Sequence, residues 1–171
     1  MNQYVLMARF NAWVNGRVYD TVAQLTDAAY REDRGAFFGS IHHTLNHLLV
    51  VDRLWRGRIE SADHGILALD QILHDDFEAL RAAREAEDRR FVALVEGLDD
   101  ARLAAPVAYR SMIGDGETET VRAEHILLTL FNHQTHHRGQ VHCMLTQAGL
   151  VTPALDLVFF LDELGLSQGE R

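Results

Sequence analysis

Apolar residues recur at helical spacing through most of the chain. Over residues 3–28, Val5 or Leu6, Phe10, Trp13 or Val14, Val18 and Leu25 fall on one stripe and predict an amphipathic first helix. Gly16 inside it costs about 1 kcal/mol relative to Ala unless close packing calls for it. A second helix is predicted over residues 37–59, burying Ile41, Leu45, Leu48, Trp55 and Ile59 between Gly35 and the loop signals Ser61 to Gly65. A third, over residues 70–96, offers Ile72 or Leu73, Phe77, Leu80, Phe91 and Leu94 or Val95 to a core. Its polar middle, residues 81–90, reads as a solvated surface.

Beyond Pro106 the period shortens. Residues 107–113 and 117–121 are β-prone and flank Gly114-Asp115-Gly116, which predicts a hairpin. Two strands alone are marginal, so this hairpin should lean on the helices. A fourth helix follows over residues 122–148, carrying Ile126, Leu127, Leu130, Val141, Met144 and Leu145 and stopping at Gly149. Thr152-Pro153 offers an N-cap and a first-turn proline to a short apolar fifth helix, residues 154–164, whose Leu157, Phe160, Leu161 and Leu164 would close the core or form a subunit interface. The tail, residues 167–171, reads as frayed. The pattern predicts an all-α protein, a four-helix bundle of up-and-down order with a small hairpin before the fourth helix.

Composition narrows the class. At 171 residues, 47% hydrophobic and 24% charged, the chain is of single-domain, globular size, so residues 1–171 form one domain. A net charge of −9, with no dense Lys/Arg stripe, argues against nucleic acid and anionic membranes as partners. Cys143 is the only cysteine, which excludes an internal disulfide and suits a reducing, cytoplasmic setting. Residues 1–9 do not read as a basic region followed by a long apolar core, and no stretch approaches 18 apolar residues, so a soluble protein is expected.

The candidate chemistry lies in the histidines. His133 and His137 stand four apart on the predicted fourth helix and point the same way. With ten His in the chain, that spacing alone is a weak motif. It gains force if His47, on the second helix, faces the pair, because three imidazoles and an open position can hold a divalent ion such as Zn²⁺ or Ni²⁺. Such an ion would lower the pKa of a bound water or hold a thiolate. His43, four residues before His47, leaves an alternative open, in which a fourth imidazole closes the site and makes the metal structural. Hydrogen-bonded core or surface histidines remain the plain alternative. His136 and His142 point in other directions, His64, His74 and His125 read as solvated, and Cys143 reads as a small buried apolar residue. Asn46, Asn132, Gln134 and Arg138 are the neighbouring candidates for supporting or substrate contacts.

The runs His42-His43-Thr44-Leu45-Asn46-His47 and Phe131-Asn132-His133-Gln134-Thr135-His136-His137-Arg138-Gly139-Gln140-Val141 resemble the DinB-like (YfiT-like) family of bacterial metalloenzymes. So do Phe10-Asn11-Ala12-Trp13 near the start and Leu155-Asp156-Leu157-Val158-Phe159-Phe160 near the end. The resemblance implies an up-down-down-up bundle in place of the simple up-and-down order, with a long crossover between the second and third helices or around the hairpin. It also implies His47, His133 and His137 as metal ligands, no ligand role for His43, and a homodimer. Characterised relatives of the wider superfamily are thiol-dependent transferases or isomerases that use low-molecular-weight thiols. The expected function is therefore a metal-dependent enzyme that activates a thiol or water on a small-molecule substrate. A non-catalytic, metal-stabilised binding or stress-response protein and a metal-dependent hydrolase are the alternatives.

Overall fold

The computed structural model describes residues 2–166. Its four long helices are α1 (Gln3–Val22), α3 (Ile41–Glu60), α4 (Phe77–Glu96) and α6 (Ala123–Gln147). Between them lie the short helices α2 (Asp27–Arg31) and α5 (Asp100–Ala104) and a hairpin of β1 (Pro106–Arg110) and β2 (Thr118–Arg122); α7 (Leu157–Glu163) follows α6. Among the described residues no helix is long and apolar enough to cross a membrane. The expected frayed tail lies outside the described residues.

Capping sets the helix starts and explains where the predicted boundaries fail. The side chains of Ser40 and Asp76 accept from the amides of His43 and Ala79, each satisfying a free N–H of the first turn. Such caps contribute about 1 kcal/mol. Consequently α3 begins at Ile41, not 37, and α4 at Phe77, not 70. The first helix ends at Val22 instead of 28, because Thr26 caps a separate helix, α2. Likewise Asp156 precedes α7, so Thr152-Pro153 stays outside it.

Two apolar clusters give the helix directions. One joins Val14 and Val18 of α1 to Leu45 of α3, Leu80 of α4 and Met144 of α6. The other joins Ala8, Ile59, Val95 and Ile126. The second half of α1 thus meets the first halves of α3 and α4 and the second half of α6, which is the up-down-down-up order. α1 packs against α4 and α6, and so does α3. α1 and α3, and likewise α4 and α6, lie across the bundle diagonals. The chain from Ser61 to Asp76 must then travel back along α3, where Ile66, Leu69 and Leu73 cover Val50 and Leu54. Gly57 permits this, since a Cβ there would lie 2.7 Å from the Cβ of His64.

The hairpin leans on α3 as expected, with Trp55 edge-on to Tyr109 at 4.8 Å. Its first strand ends at Arg110 instead of 113, and its second is shifted by one residue from the predicted 117–121. Arg110 pairs with Thr118, and residues 111–117 form the loop, in which Gly114 and Gly116 take positive φ. Phe160 of α7 packs on Phe10 and Trp13 and closes the core, while Val158 and Phe159 stay exposed.

Mid-bundle, the prediction of a solvated surface for residues 81–90 holds for Glu85, Arg89 and Arg90 but fails on the inner face. Arg84, Glu87 and Asp88 are buried. Arg84 bridges Asp52 of α3 and Asp88, both at 2.8 Å, and Asn15 of α1 donates to Asp88 at 2.9 Å. Arg138 of α6 donates to Asn11, Asn15 and Gln134. Every long helix thus contributes to one buried polar layer. Removing one charge leaves its partners buried and unpaired, so Arg84→Met should cost about 3–5 kcal/mol in urea denaturation. Arg84→Met combined with Asp52→Leu and Asp88→Leu should recover part of that loss.

Candidate metal centre

His47 lies in the first half of α3, and His133 and His137 lie on successive turns of α6, the helix packed against it. One nitrogen from each ring falls within 4.8 Å of the other two. The Nε2 atoms of His47 and His133 are 3.0 Å apart. The even i, i+4 spacing supplies the pair, and the α3–α6 packing supplies the third ring.

Hydrogen bonds on the far side of two rings fix their tautomers. His47 Nδ1 donates to the Leu69 carbonyl at 2.7 Å, the only role that a carbonyl allows. His137 Nδ1 donates to Gln140 Oε1 at 2.8 Å, while the Gln140 amide nitrogen faces His136 Nε2 at 3.3 Å. Both neutral rings therefore turn an Nε2 lone pair inward. His133 Nδ1 is buried without a partner, and without an ion its Nε2–H can donate to the His47 Nε2 lone pair at 3.0 Å; moving that proton to Nδ1 frees a third lone pair for a cation. Three convergent neutral imidazole nitrogens fit a divalent cation that accepts nitrogen ligands.

The surroundings keep these rings neutral. Burial lowers the His47 pKa to about 4, partly offset by the Leu69 carbonyl. Burial, with the neighbouring His137 and His47, takes His133 to about 3, and burial also lowers His137. Phe38 stacks on His47 at 4.0 Å between centroids and covers one side of the site. It reaches that place because Gly39, at φ 74°, turns the chain back before α3 starts. On another side a cavity of about 310 Å³ opens, lined by His47, His133 and the hairpin.

The remaining candidates separate. Asn46 supports the centre at one remove, since its Oδ1 accepts from Leu73 and His74 and its amide donates to the His74 carbonyl at 3.0 Å. These bonds hold the crossover whose Leu69 carbonyl orients His47. Gln134 and Arg138 belong to the buried polar layer, and Asn132 is exposed and bonds its own helix at Leu128. His43 is exposed and outside the cluster, so the four-imidazole alternative has no support. His125 and His136 are exposed as expected, but His64 and His74, within the crossover, are half-buried. Cys143 is exposed, contrary to its expected burial. Sequence reasoning missed Phe38 and Leu69, which act through a ring face and a backbone carbonyl. Gln140 could have been found, standing one turn beyond His137.

The DinB family matches residues 1–168. Over 162 residues the chain is 27% identical to the protein DinB of Bacillus subtilis, covering 89% of this chain and 90% of that protein. Two solved structures of DinB-like proteins share the fold. One, from Bacillus subtilis, has a TM-score of 0.66 at 16% identity over 91% of this chain and 98% of its own. The other, from Bacillus cereus, has a TM-score of 0.59 at 18% identity over 83% and 90%.

Two outcomes are expected. In unfolded protein the histidines titrate near ~6.5, whereas His47 and His133 in the fold titrate at about 4 and about 3. The unfolded chain then binds more protons between those values, so metal-free protein should be fully stabilised above about pH 6.5 and lose stability as pH falls towards 4. Urea midpoints across that range measure the slope, which His133→Asn should flatten. Asn46→Ala should loosen the Leu69 carbonyl and weaken Zn²⁺ binding roughly 10- to 100-fold with all three histidines intact, measured by chelator competition.

Proposed function

Because the chain belongs to the DinB family, we propose that it is a metal-dependent enzyme whose His47, His133 and His137 hold a divalent ion, zinc or nickel, and act on a small molecule with a thiol or water as nucleophile. The single observation that carries this reading is the convergence of three neutral imidazoles beside an open cavity. A divalent ion held by such ligands lowers the pKa of a thiol or water brought to it. The protein's own part is placement. Leu69 and Gln140 keep the two Nε2 lone pairs aimed inward, Asn46 holds the crossover, and Phe38 excludes water from one side.

Three ligands rather than four favour an enzyme over a purely structural site, because a tetrahedral ion would retain one position for a reactant. A low-molecular-weight thiol is the cosubstrate that the family resemblance suggests, with hydrolysis as the competing chemistry. The reading includes a homodimer, which the exposed Val158 and Phe159 of α7 support, and a cytoplasmic setting, which suits an exposed single cysteine.

Elemental analysis of untagged protein tests the metal. Near one ion per chain in the parent, and little in His47→Ala and His137→Ala, is the expected result; unchanged occupancy in either variant would show that the ligands lie elsewhere. Thiol consumption against hydrolysis of activated esters by the loaded protein then separates the two chemistries.

A further inference from the structure

The cavity beside the histidines has a strongly asymmetric lining. Val51, Leu54, Leu69 and Met112 form apolar walls, and Arg58 supplies the arginine of the lining. Its guanidinium lies against two rings set edge to face, 4.4 Å from the Trp55 ring centroid and 4.2 Å from that of Tyr109. One terminal nitrogen donates to the Arg110 carbonyl at 2.9 Å. Among the described residues no carboxylate forms an ion pair with Arg58. Glu119, also on the cavity, instead accepts from the Tyr109 hydroxyl at 2.8 Å.

A half-buried cation held against two rings by contacts to its carbon centre keeps its N–H groups for hydrogen bonding. Among the described residues Nε and Nη1 of Arg58 have no acceptor, so the guanidinium on the cavity wall retains free donors. Holding an arginine side chain in one geometry ordinarily costs conformational entropy; here Trp55, Tyr109 and Arg110 have already ordered it. At about 310 Å³ the cavity suits a small molecule.

We propose that the molecule processed at this centre carries an anionic terminus, joined by an apolar or aromatic body to the part that meets His47 and His133, and that Arg58 selects that terminus. The histidine end of this assignment rests on the metal reading above; the Arg58 end does not. With a divalent ion and Arg58 set against Glu119 of the lining and Asp70 beside His47, the cavity would keep net positive charge, which favours an anion. A purely structural role for Arg58, clamping the hairpin to α3, predicts that any preference for the charged ligand comes from the ion and survives substitution of Arg58.

The test uses 4-(mercaptomethyl)benzoic acid and its primary amide, which share a thiol and an aromatic body and differ in terminal charge. Calorimetric titration is run on zinc-loaded and zinc-free full-length protein, with zinc content measured alongside. The acid should bind about tenfold more tightly than the amide, as expected for a charge-assisted hydrogen bond. Arg58→Gln should abolish the preference while leaving amide affinity and zinc content unchanged, and Arg58→Lys should keep part of it. Equal affinities in the parent, or a preference that survives Arg58→Gln, overturns the proposal. If the protein takes up no zinc, the metal reading fails by itself. An Arg58-dependent preference in that protein would still support the anion subsite, and its absence would overturn that too. A hairpin loosened by substitution would weaken acid and amide together and leave their ratio intact.

Discussion

The buried ion layer of Arg84, Asp52 and Asp88 fixes how the four long helices are rotated about their axes. Apolar stripes tolerate some rotation, because one methyl group can replace another in a contact. Charges in a low-dielectric interior tolerate little, since any rotation that separates them leaves a desolvated ion. On α6 the effect reaches the histidines directly. Gln134 and Arg138 each follow a candidate ligand by one residue, which places them about 100° around the helix. Drawing Arg138 inward towards Asn11 and Asn15, and Gln134 towards Arg138 and the Leu48 carbonyl, turns His133 and His137 to face α3. The convergence of three imidazoles is therefore set by polar packing that touches none of them.

The crossover performs the same service for the third ring. Because α3 and α4 run in the same direction, the chain between them must return along the bundle, and it does so over the face of α3 that carries His47. The topology thus delivers a backbone carbonyl to the imidazole that needs one. Asn46, adjacent to His47 in sequence but turned to the crossover, uses both its acceptor and its donors to hold that carbonyl in place.

Much of this was legible before the fold was known. The long stripes, the hairpin and the histidine pair rest on periodicities that a sequence displays directly. Assigning His47 needed only the assumption that the second and fourth helices pack together. Up-down-down-up order came from resemblance, since apolar spacing carries no information about which helices lie on a diagonal. The polar layer was misread because Arg84 and Asp88 sit in a strongly charged run, where local composition suggests water. A better signal existed: Asn11 with Asn15, Arg84 with Asp88, and Gln134 with Arg138 repeat one i, i+4 spacing on three helices. Helix ends were misplaced wherever a cap, such as Ser40 or Asp76, outweighed the apolar pattern.

The diagonal arrangement also bears on how the chain acquires its structure. In an up-and-down bundle the first two helices can associate as soon as both exist. Here α1 finds its antiparallel partner only in α4, and α3 finds its own only in α6. During synthesis at about 5–20 residues per second, the stretch from the end of α3 to the end of α4 takes roughly 2–7 s to appear. For that interval two apolar stripes lack their final neighbours, and chaperone capture or mispairing competes with folding. Contacts so distant in sequence also slow spontaneous refolding relative to a bundle of the same size built from helical hairpins.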